Sequence, residues 1–279
     1  MNAMDSDPHG IRAFEHASWQ RVAADYVDTF AAATRGFIEP LLDAAGVGAH
    51  MRVLDVCCGP GLVAEAAAAR GASAAGVDFS SAMLAVARAE LGRVEFSQGD
   101  AEALPYEDGT FDAAVANFGV HHVPNPAAAL AEMHRVLVPG GRAGFTVWPR
   151  PDTNVPWQLL FDAIRAHGAL DAAKTPPPSG SINSEENCRK LVADVGFDEA
   201  GAQLIEREWV VKSAHDLLAA FRNGTARTAA LIDAQDAAAL PAIEAHMAQH
   251  AERYRRGNAL HIPIAAIVAW GVKPVTSNQ

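Results

Sequence analysis

The chain has few of the features on which several classes of protein depend. Only three cysteines occur in 279 residues, Cys57, Cys58 and Cys188. Three are too few for a disulfide framework, and the adjacent pair lacks the spacing of a zinc site. No apolar run reaches the length of a membrane span, and residues 1–10 lack the basic and then apolar pattern of a signal peptide. We therefore expect a cytoplasmic protein with no membrane partner.

Basic residues are also scarce relative to acidic ones. The chain has 22 Lys and Arg against 33 Asp and Glu, a formal net charge of −11 and an isoelectric point near 5.4. An acidic surface disfavours a phosphate backbone, so we expect no nucleic-acid partner. Half of the residues are hydrophobic, which is enough for one large core. We expect a single domain over residues 1–279.

Strand-like and helix-like segments alternate through the middle of the chain. The predicted strands are residues 51–56, 73–77, 94–97, 111–117, 142–148, 202–211 and 259–272. Predicted helices 62–70, 82–91 and 126–137 lie between the earlier strands. Repeated strand–helix units favour parallel pairing. The sequence therefore predicts an α/β fold with a doubly wound, mainly parallel, seven-stranded Rossmann-like sheet.

Helical segments surround the predicted core, which spans residues 49–149. Residues 1–48 are predicted to form N-terminal helices over 12–33 and 36–45, and residues 259–273 contain the last strand. Two stretches, 150–182 and 212–258, interrupt the alternation at the carboxyl ends of strands, where open sheets bind ligands. We interpret them as helical lid insertions. The proline-rich segment 175–180 resembles a linker.

The loop after the first strand carries the chemistry that identifies the ligand. In VLDVCCGPG, residues 53–61, Asp55 ends the strand, and Asp78 ends the next strand. A dinucleotide fingerprint would place the first glycine of G-x-G-x-x-G directly after the strand, and here that glycine is missing. A carboxylate at this point would repel a pyrophosphate. It suits an ammonium group, while the loop amides suit a carboxylate.

The next strand ends extend this pattern. Asp78 can accept hydrogen bonds from ribose hydroxyls, and Asp100, after the third strand, can accept one from an adenine amine. Asn117 ends the fourth strand and would face the reactive end of the ligand. An amino-acid moiety, a ribose, an adenine and a reactive centre together describe S-adenosylmethionine.

The chain resembles the class I S-adenosylmethionine-dependent methyltransferases, in particular the small-molecule branch of ubiquinone/menaquinone C-methyltransferase-like, type 11 enzymes. The matching segments are residues 53–61, GVDFSSAML (76–84), QGDAEALPYEDGTFDAAVANFGVHHVPNP (98–126) and RVLVPGGR (135–142). The resemblance implies cofactor contacts from Asp55, Gly59, Gly61, Asp78, Phe79, Met83, Asp100, Ala101 and Asn117. Cys57 lies in the same loop, at a position where the family usually has glycine.

Further candidates lie near the reactive end. His121 and His122 follow the fourth strand, and either could act as a general base because histidine titrates near neutrality. Tyr26 would reach the cofactor if its helix closed over the site. No cluster of ligands has the spacing of a catalytic metal site, so we expect metal-independent chemistry.

We expect methyl transfer to an oxygen, carbon or nitrogen of a small organic acceptor. Two alternatives remain open at this point: an RNA or protein methyltransferase, and an S-adenosylmethionine-binding protein that does not methylate, such as a pericyclase or a regulator. An NAD-dependent dehydrogenase fits poorly because of the glycine pattern. Whether the chain forms a homodimer is also open.

Overall fold

A computed structural model describes residues 7–176 and 182–275. The helices are α1 (Pro8–Tyr26), α2 (Ala31–Arg35), α3 (Ile38–Ala44), α4 (Leu62–Ala69), α5 (Ser81–Glu90), α6 (Pro126–Val136), α7 (Val155–His167), α8 (Glu185–Asp194), α9 (Ala214–Gly224), α10 (Arg227–Asp233) and α11 (Leu240–Ala251). The strands are β1 (Arg52–Val56), β2 (Ser73–Asp78), β3 (Glu95–Gln98), β4 (Phe111–Asn117), β5 (Leu137–Val147), β6 (Asp198–Val211), β7 (Arg255–Arg256) and β8 (Ala259–Val272).

The strands form one sheet in the order β3-β2-β1-β4-β5-β8-β6, and the two-residue β7 pairs with β8. Pairing is parallel from β3 to β5, and β8 runs antiparallel to both β5 and β6. The predicted doubly wound, mainly parallel sheet of seven main strands is therefore confirmed. The strand order reverses between β1 and β4, and an open sheet of this kind binds its ligand at that reversal.

The central strands are buried on both faces, as expected for a parallel sheet with helices on each side. β1 reads Val-Leu-Asp-Val after an exposed Arg52, and each of those four residues is buried. Asp55 is thus a carboxylate in an otherwise apolar strand, which requires a specific partner.

An apolar cluster with many aromatic side chains lies beyond the carboxyl edge of the sheet. Its buried aromatic members are Phe30, Phe37, Phe118, Trp157, Trp209 and Phe221, and the partly buried Tyr26, Trp148, Phe161 and Tyr254 pack against them. The insertions supply α7 and α9, and both pack into this cluster. β6 is parallel to β5, so the segments after β5 and after β6 leave the sheet at the same edge.

The N-terminal helical segment differs from the expectation. The single helix predicted over 12–33 is wrong, because α1 ends at Tyr26 and α2 begins at Ala31. The turn between them lets Phe30 enter the aromatic cluster, where it lies so close to Gly224 that an added Cβ there would be 2.2 Å from that of Phe30. Of the predicted linker 175–180, residues 177–180 lie outside the described residues. In the part of the chain that is described, no helix combines the length and apolar character needed to span a membrane.

Candidate cofactor site at the carboxyl edge of the sheet

A pocket of about 940 Å³, its solvent-filled mouth included, opens where β1 and β4 end. Nearly all of the predicted cofactor residues line it: Tyr26, Asp55, Cys57, Gly59, Asp78, Phe79, Met83, Asp100, Ala101 and Asn117. Gly61 does not line it, although its neighbours Pro60 and Leu62 do. Of the two candidate histidines, His122 lines the pocket and His121 does not.

The loop after β1 has a left-handed backbone conformation at three positions. Cys57, Gly59 and Gly61 all have positive φ angles, of 55°, 52° and 84°. Glycine adopts this conformation freely, whereas a residue with a Cβ is strained in it. The glycine that the family usually has at position 57 thus matches the backbone found here, and Cys57 adopts the same conformation at some cost.

Asp55 is 1% exposed, and its two carboxylate oxygens have different surroundings. Oδ2 accepts a hydrogen bond of 3.1 Å from the amide of Ala64, which fixes the start of α4. Oδ1 is buried and has no hydrogen-bond partner among the described residues. Burial, together with the nearby Asp78 carboxylate, raises the pKa of Asp55 well above its usual value. A buried oxygen of this kind fits a ligand cation.

Asp78 lies at the end of β2 and orders two neighbouring turns. Its oxygens accept hydrogen bonds of 2.8 Å from the amides of Gly59 and Ser80. Burial raises the pKa of Asp78 to about 6, against the opposing effect of these amides. The carboxylate keeps acceptor capacity beyond these amides, so it can also receive hydroxyl groups.

The N-terminal helix α1 covers the far end of the pocket through polar contacts that the sequence did not reveal. Arg12 forms ion pairs with Asp100, at 2.9 Å, and with Glu102. Gln20 accepts hydrogen bonds from the Ala82 amide at 2.7 Å and from the Ser80 hydroxyl at 2.9 Å. Both contacts join α1 to the loops that follow β2 and β3.

Asn117 connects the end of β4 to the N-terminal segment. Its side-chain oxygen accepts a 2.7 Å hydrogen bond from Thr146, and its amide nitrogen donates to the carbonyl of Thr34 over 3.4 Å. The Thr34 hydroxyl lies 3.1 Å from the Tyr26 hydroxyl. Tyr26 and Asn117 are thereby brought to the same end of the pocket.

Trp19 and His122 complete that end. The Trp19 and His122 rings pack in a T-shaped arrangement at a centroid distance of 5.0 Å. The Nδ1 atom of His122 lies 3.0 Å from the carboxylate of Glu15, on α1. His121 is packed behind, where burial lowers its pKa well below the usual value and keeps the ring neutral.

Sequence reasoning missed Arg12, Glu15 and Gln20 as site residues, although one signal for Glu15 was available. Glu15 shares the helical stripe of Trp19, Val22 and Tyr26, with spacings of four, three and four. A carboxylate in an apolar stripe is a residue that needs a buried partner.

The chain is similar to known methyltransferases. A family model described as a methyltransferase domain matches residues 54–145. A demethylmenaquinone methyltransferase of Renibacterium salmoninarum is 33% identical over 177 residues, which cover 60% of this chain and 74% of that protein. The ubiquinone/menaquinone biosynthesis C-methyltransferase UbiE of Erwinia tasmaniensis is 34% identical over 177 residues, which cover 56% of this chain and 70% of that protein.

A solved structure shares nearly the whole fold. The cyclase SpnF aligns with a TM-score of 0.54 and 21% identity, covering 97% of this chain and 96% of its own. This likeness concerns the fold alone. The two methyltransferase relatives and the matched domain carry the assignment: the chain belongs to the family of S-adenosylmethionine-dependent methyltransferases that act on small molecules.

Proposed function

We propose that the pocket binds S-adenosylmethionine through the residues at the ends of β1, β2, β3 and β4, for methyl transfer to a small organic acceptor. The observation that carries this proposal is the buried Oδ1 atom of Asp55, a pocket-lining residue, which has no hydrogen-bond partner among the described residues. In this arrangement Asp55 receives the ammonium group, and Asp78 receives the ribose hydroxyls. When bound, S-adenosylmethionine supplies an electrophilic methyl carbon.

The charge of the pocket supports a cationic ligand. Asp55, Asp78 and Asp100 all line it, and among its lining residues the cation is Arg12, which is already paired with Asp100 and Glu102. A sulfonium and an ammonium group would relieve the mutual repulsion of these carboxylates. Phe79 and Met83 supply apolar contacts for the adenosine.

We place the acceptor at the end of the pocket formed by Trp19, Tyr26 and His122. The two aromatic rings favour a flat or apolar acceptor, which agrees with the quinone-type substrates in the names of both relatives. Between the two candidate histidines, we assign the general base to His122, because it lines the pocket. An oxygen acceptor needs this base, whereas an activated carbon or an amine needs mainly alignment.

The insertions 150–182 and 212–258 have the place of a lid in this proposal. Their helices α7 and α9 supply Trp157 and Phe221 to the aromatic cluster, which also contains Phe118, the residue after Asn117. Covering the reactive end would exclude water during transfer.

Two measurements test the proposal. A calorimetric titration with S-adenosylhomocysteine is expected to show saturable binding. Tritium-labelled S-adenosylmethionine is then offered with a panel of quinols, phenols and amines, and label is expected in one acceptor class with matching release of S-adenosylhomocysteine. Absence of binding would overturn the proposal. If the cofactor binds and a compound of the panel is converted to a product that carries no label, the protein catalyses a non-methylating reaction on the same fold.

A further inference from the structure

The carboxylate of Glu15 is 0% exposed although it belongs to a helix at the surface of the domain. It does not line the pocket, yet each of its oxygens is engaged. Oε2 accepts a 3.0 Å hydrogen bond from the Trp19 indole and lies 3.0 Å from Nδ1 of His122. Oε1 forms an ion pair with Arg227 of α10. Three distant parts of the chain therefore converge on one buried acid.

The acid is ionised in this setting. Burial by itself would raise the pKa of Glu15, but the neighbouring His122 and Arg227 side chains together lower it below the usual value. An ionised carboxylate has only acceptor sites. A hydrogen bond between this carboxylate and Nδ1 of His122 therefore needs the proton on Nδ1, and a neutral imidazole with that proton has its lone pair on Nε2.

Contacts with Trp19 and Glu15 fix the orientation of the His122 ring. The Trp19 ring packs against it in a T-shaped arrangement at an interplanar angle of 84°, and the Trp19 indole donates a hydrogen bond to Glu15. Because Nδ1 is occupied by Glu15, Nε2 is the ring nitrogen left for a group in the pocket that His122 lines.

Arg227 determines the net charge of the cluster formed by Glu15, His122 and Arg227. Its guanidinium lies over the Phe14 ring at 5.7 Å and also donates to the carbonyl of Pro176 over 3.3 Å. With Glu15 and Arg227 paired, the cluster is neutral when the imidazole is neutral. The His121 ring is adjacent to His122, at a centroid distance of 4.2 Å. The other titratable side chains that line the same pocket are Arg12, Tyr26, Asp55, Cys57, Cys58, Asp78 and Asp100.

We propose that Glu15 is the positioning residue of the reaction: with Arg227 as its counter-ion, it holds His122 in the Nδ1–H tautomer and directs Nε2 at the proton of the acceptor. The base would take that proton at Nε2 while the acceptor forms its bond to the methyl carbon and the bond from that carbon to the sulfonium sulfur breaks, which leaves S-adenosylhomocysteine. Glu15 would stabilise the resulting imidazolium. This inference rests on the proposed function, since it presumes that an acceptor enters the pocket. A purely structural tie between α1 and α10 would need Arg227 but not the contact with Nδ1.

The test observes the tautomer directly, by nitrogen NMR of the full chain labelled at histidine, with and without S-adenosylhomocysteine. The His122 signal is assigned with His122→Gln. We expect a protonated Nδ1 and an unprotonated Nε2 in the unsubstituted chain. In Glu15→Gln the amide can donate as well as accept, so a population with a protonated Nε2 is expected. A His122 that carries its proton on Nε2 in the unsubstituted chain would overturn the proposal, as would an unchanged tautomer in the variant.

A matched pair of controls separates this role from folding and from cofactor binding. Glu244→Gln removes an exposed carboxylate 3.1 Å from Nδ1 of His215, and it is expected to leave the His122 signal unchanged. If Glu15→Gln fails to fold because Arg227 is left unpaired, Glu15→Gln/Arg227→Gln restores neutrality and is expected to show the same tautomer change. Failure of the proposed function would appear as absent cofactor binding, and the NMR of the free chain would still report the tautomer.

Activity supplies a second readout once the screen has yielded an acceptor. Glu15→Gln is expected to lower kcat at least about tenfold, within the usual contribution of a positioned base, with the KM for S-adenosylmethionine changed less than about twofold. A KM increase with unchanged kcat would contradict the positioning role.

Discussion

Cys57 and Gly119 form a pair in which the size of one residue determines the size allowed at the other. Gly119 follows Phe118 at the end of β4 and has φ of −94°, which any residue can adopt. A Cβ placed on it would nevertheless lie 2.3 Å from the Cys57 Cβ and 2.9 Å from Sγ. The next contact, the Val56 carbonyl at 3.5 Å, is ordinary. Gly119→Ala therefore introduces a clash with Cys57 alone.

The expected changes in the free energy of unfolding distinguish this clash from effects on the backbone. Overpacking of this severity costs about 1–3 kcal/mol. Cys57→Gly removes a left-handed strain of about 1 kcal/mol, and the greater entropy of glycine in the unfolded chain offsets it by about 0.5–1 kcal/mol. We expect Cys57→Gly to be nearly neutral and Gly119→Ala to destabilise by about 2–3 kcal/mol. In the double variant most of that loss should disappear, a coupling of about 2 kcal/mol.

Urea unfolding of the four proteins measures this coupling, with the dissociation constant of S-adenosylhomocysteine as a second readout of loop geometry. Additive effects, with the double variant as unstable as Gly119→Ala, would refute the packing argument and the interpretation of Cys57 as a tolerated substitute for glycine.

Three further predictions concern the same edge of the sheet. Affinity for S-adenosylhomocysteine should be lost as pH falls through about 6, the pKa of Asp78, because a protonated carboxyl is a weaker hydrogen-bond acceptor. At pH 5 calorimetry should show a loss of affinity of about tenfold. An affinity that does not change with pH would contradict this prediction. Binding near neutral pH should release protons, because a ligand ammonium would lower the raised pKa of Asp55. The observed heat of binding should then differ between buffers of different ionisation enthalpy, and identical observed heats would exclude this. Ser80→Ala removes the N-cap of α5, whose hydroxyl accepts a hydrogen bond from the Met83 amide at 3.2 Å. This variant should lower the free energy of unfolding by about 1 kcal/mol and should also lower cofactor affinity. The control, Ser184→Ala, removes the N-cap of α8 and should affect stability only.

The core of the fold was predictable because its signals are local. β1, β2 and β4 each combine an apolar run with a polar residue at the carboxyl end, and parallel pairing brings those ends to one edge. Asp55, Asp78 and Asn117 could therefore be placed in one pocket from strand ends alone. Their roles in binding stay predictions.

The parts that escaped prediction depend on contacts between distant segments. The break between α1 and α2 has no glycine or proline and follows from the fit of Phe30 against Gly224. Glu15 finds His122 and Arg227 at separations of 107 and 212 residues. No pattern within α1 specifies those partners, although the carboxylate in an apolar stripe indicates that some partner is needed.

The central claim is that this pocket binds the cofactor of methyl transfer, and paired titrations with S-adenosylhomocysteine test it most directly. Asp78→Asn keeps the shape of the side chain but removes its charge inside the pocket. Asp112→Asn is the matched control: Asp112 also accepts a backbone hydrogen bond, from Arg52 at 2.7 Å, but near the opposite end of the sheet. We predict that Asp78→Asn raises the dissociation constant at least about tenfold, about 1.4 kcal/mol, and that Asp112→Asn leaves it unchanged. Equal affinity in all three proteins, or no binding to the unsubstituted chain, would contradict the account.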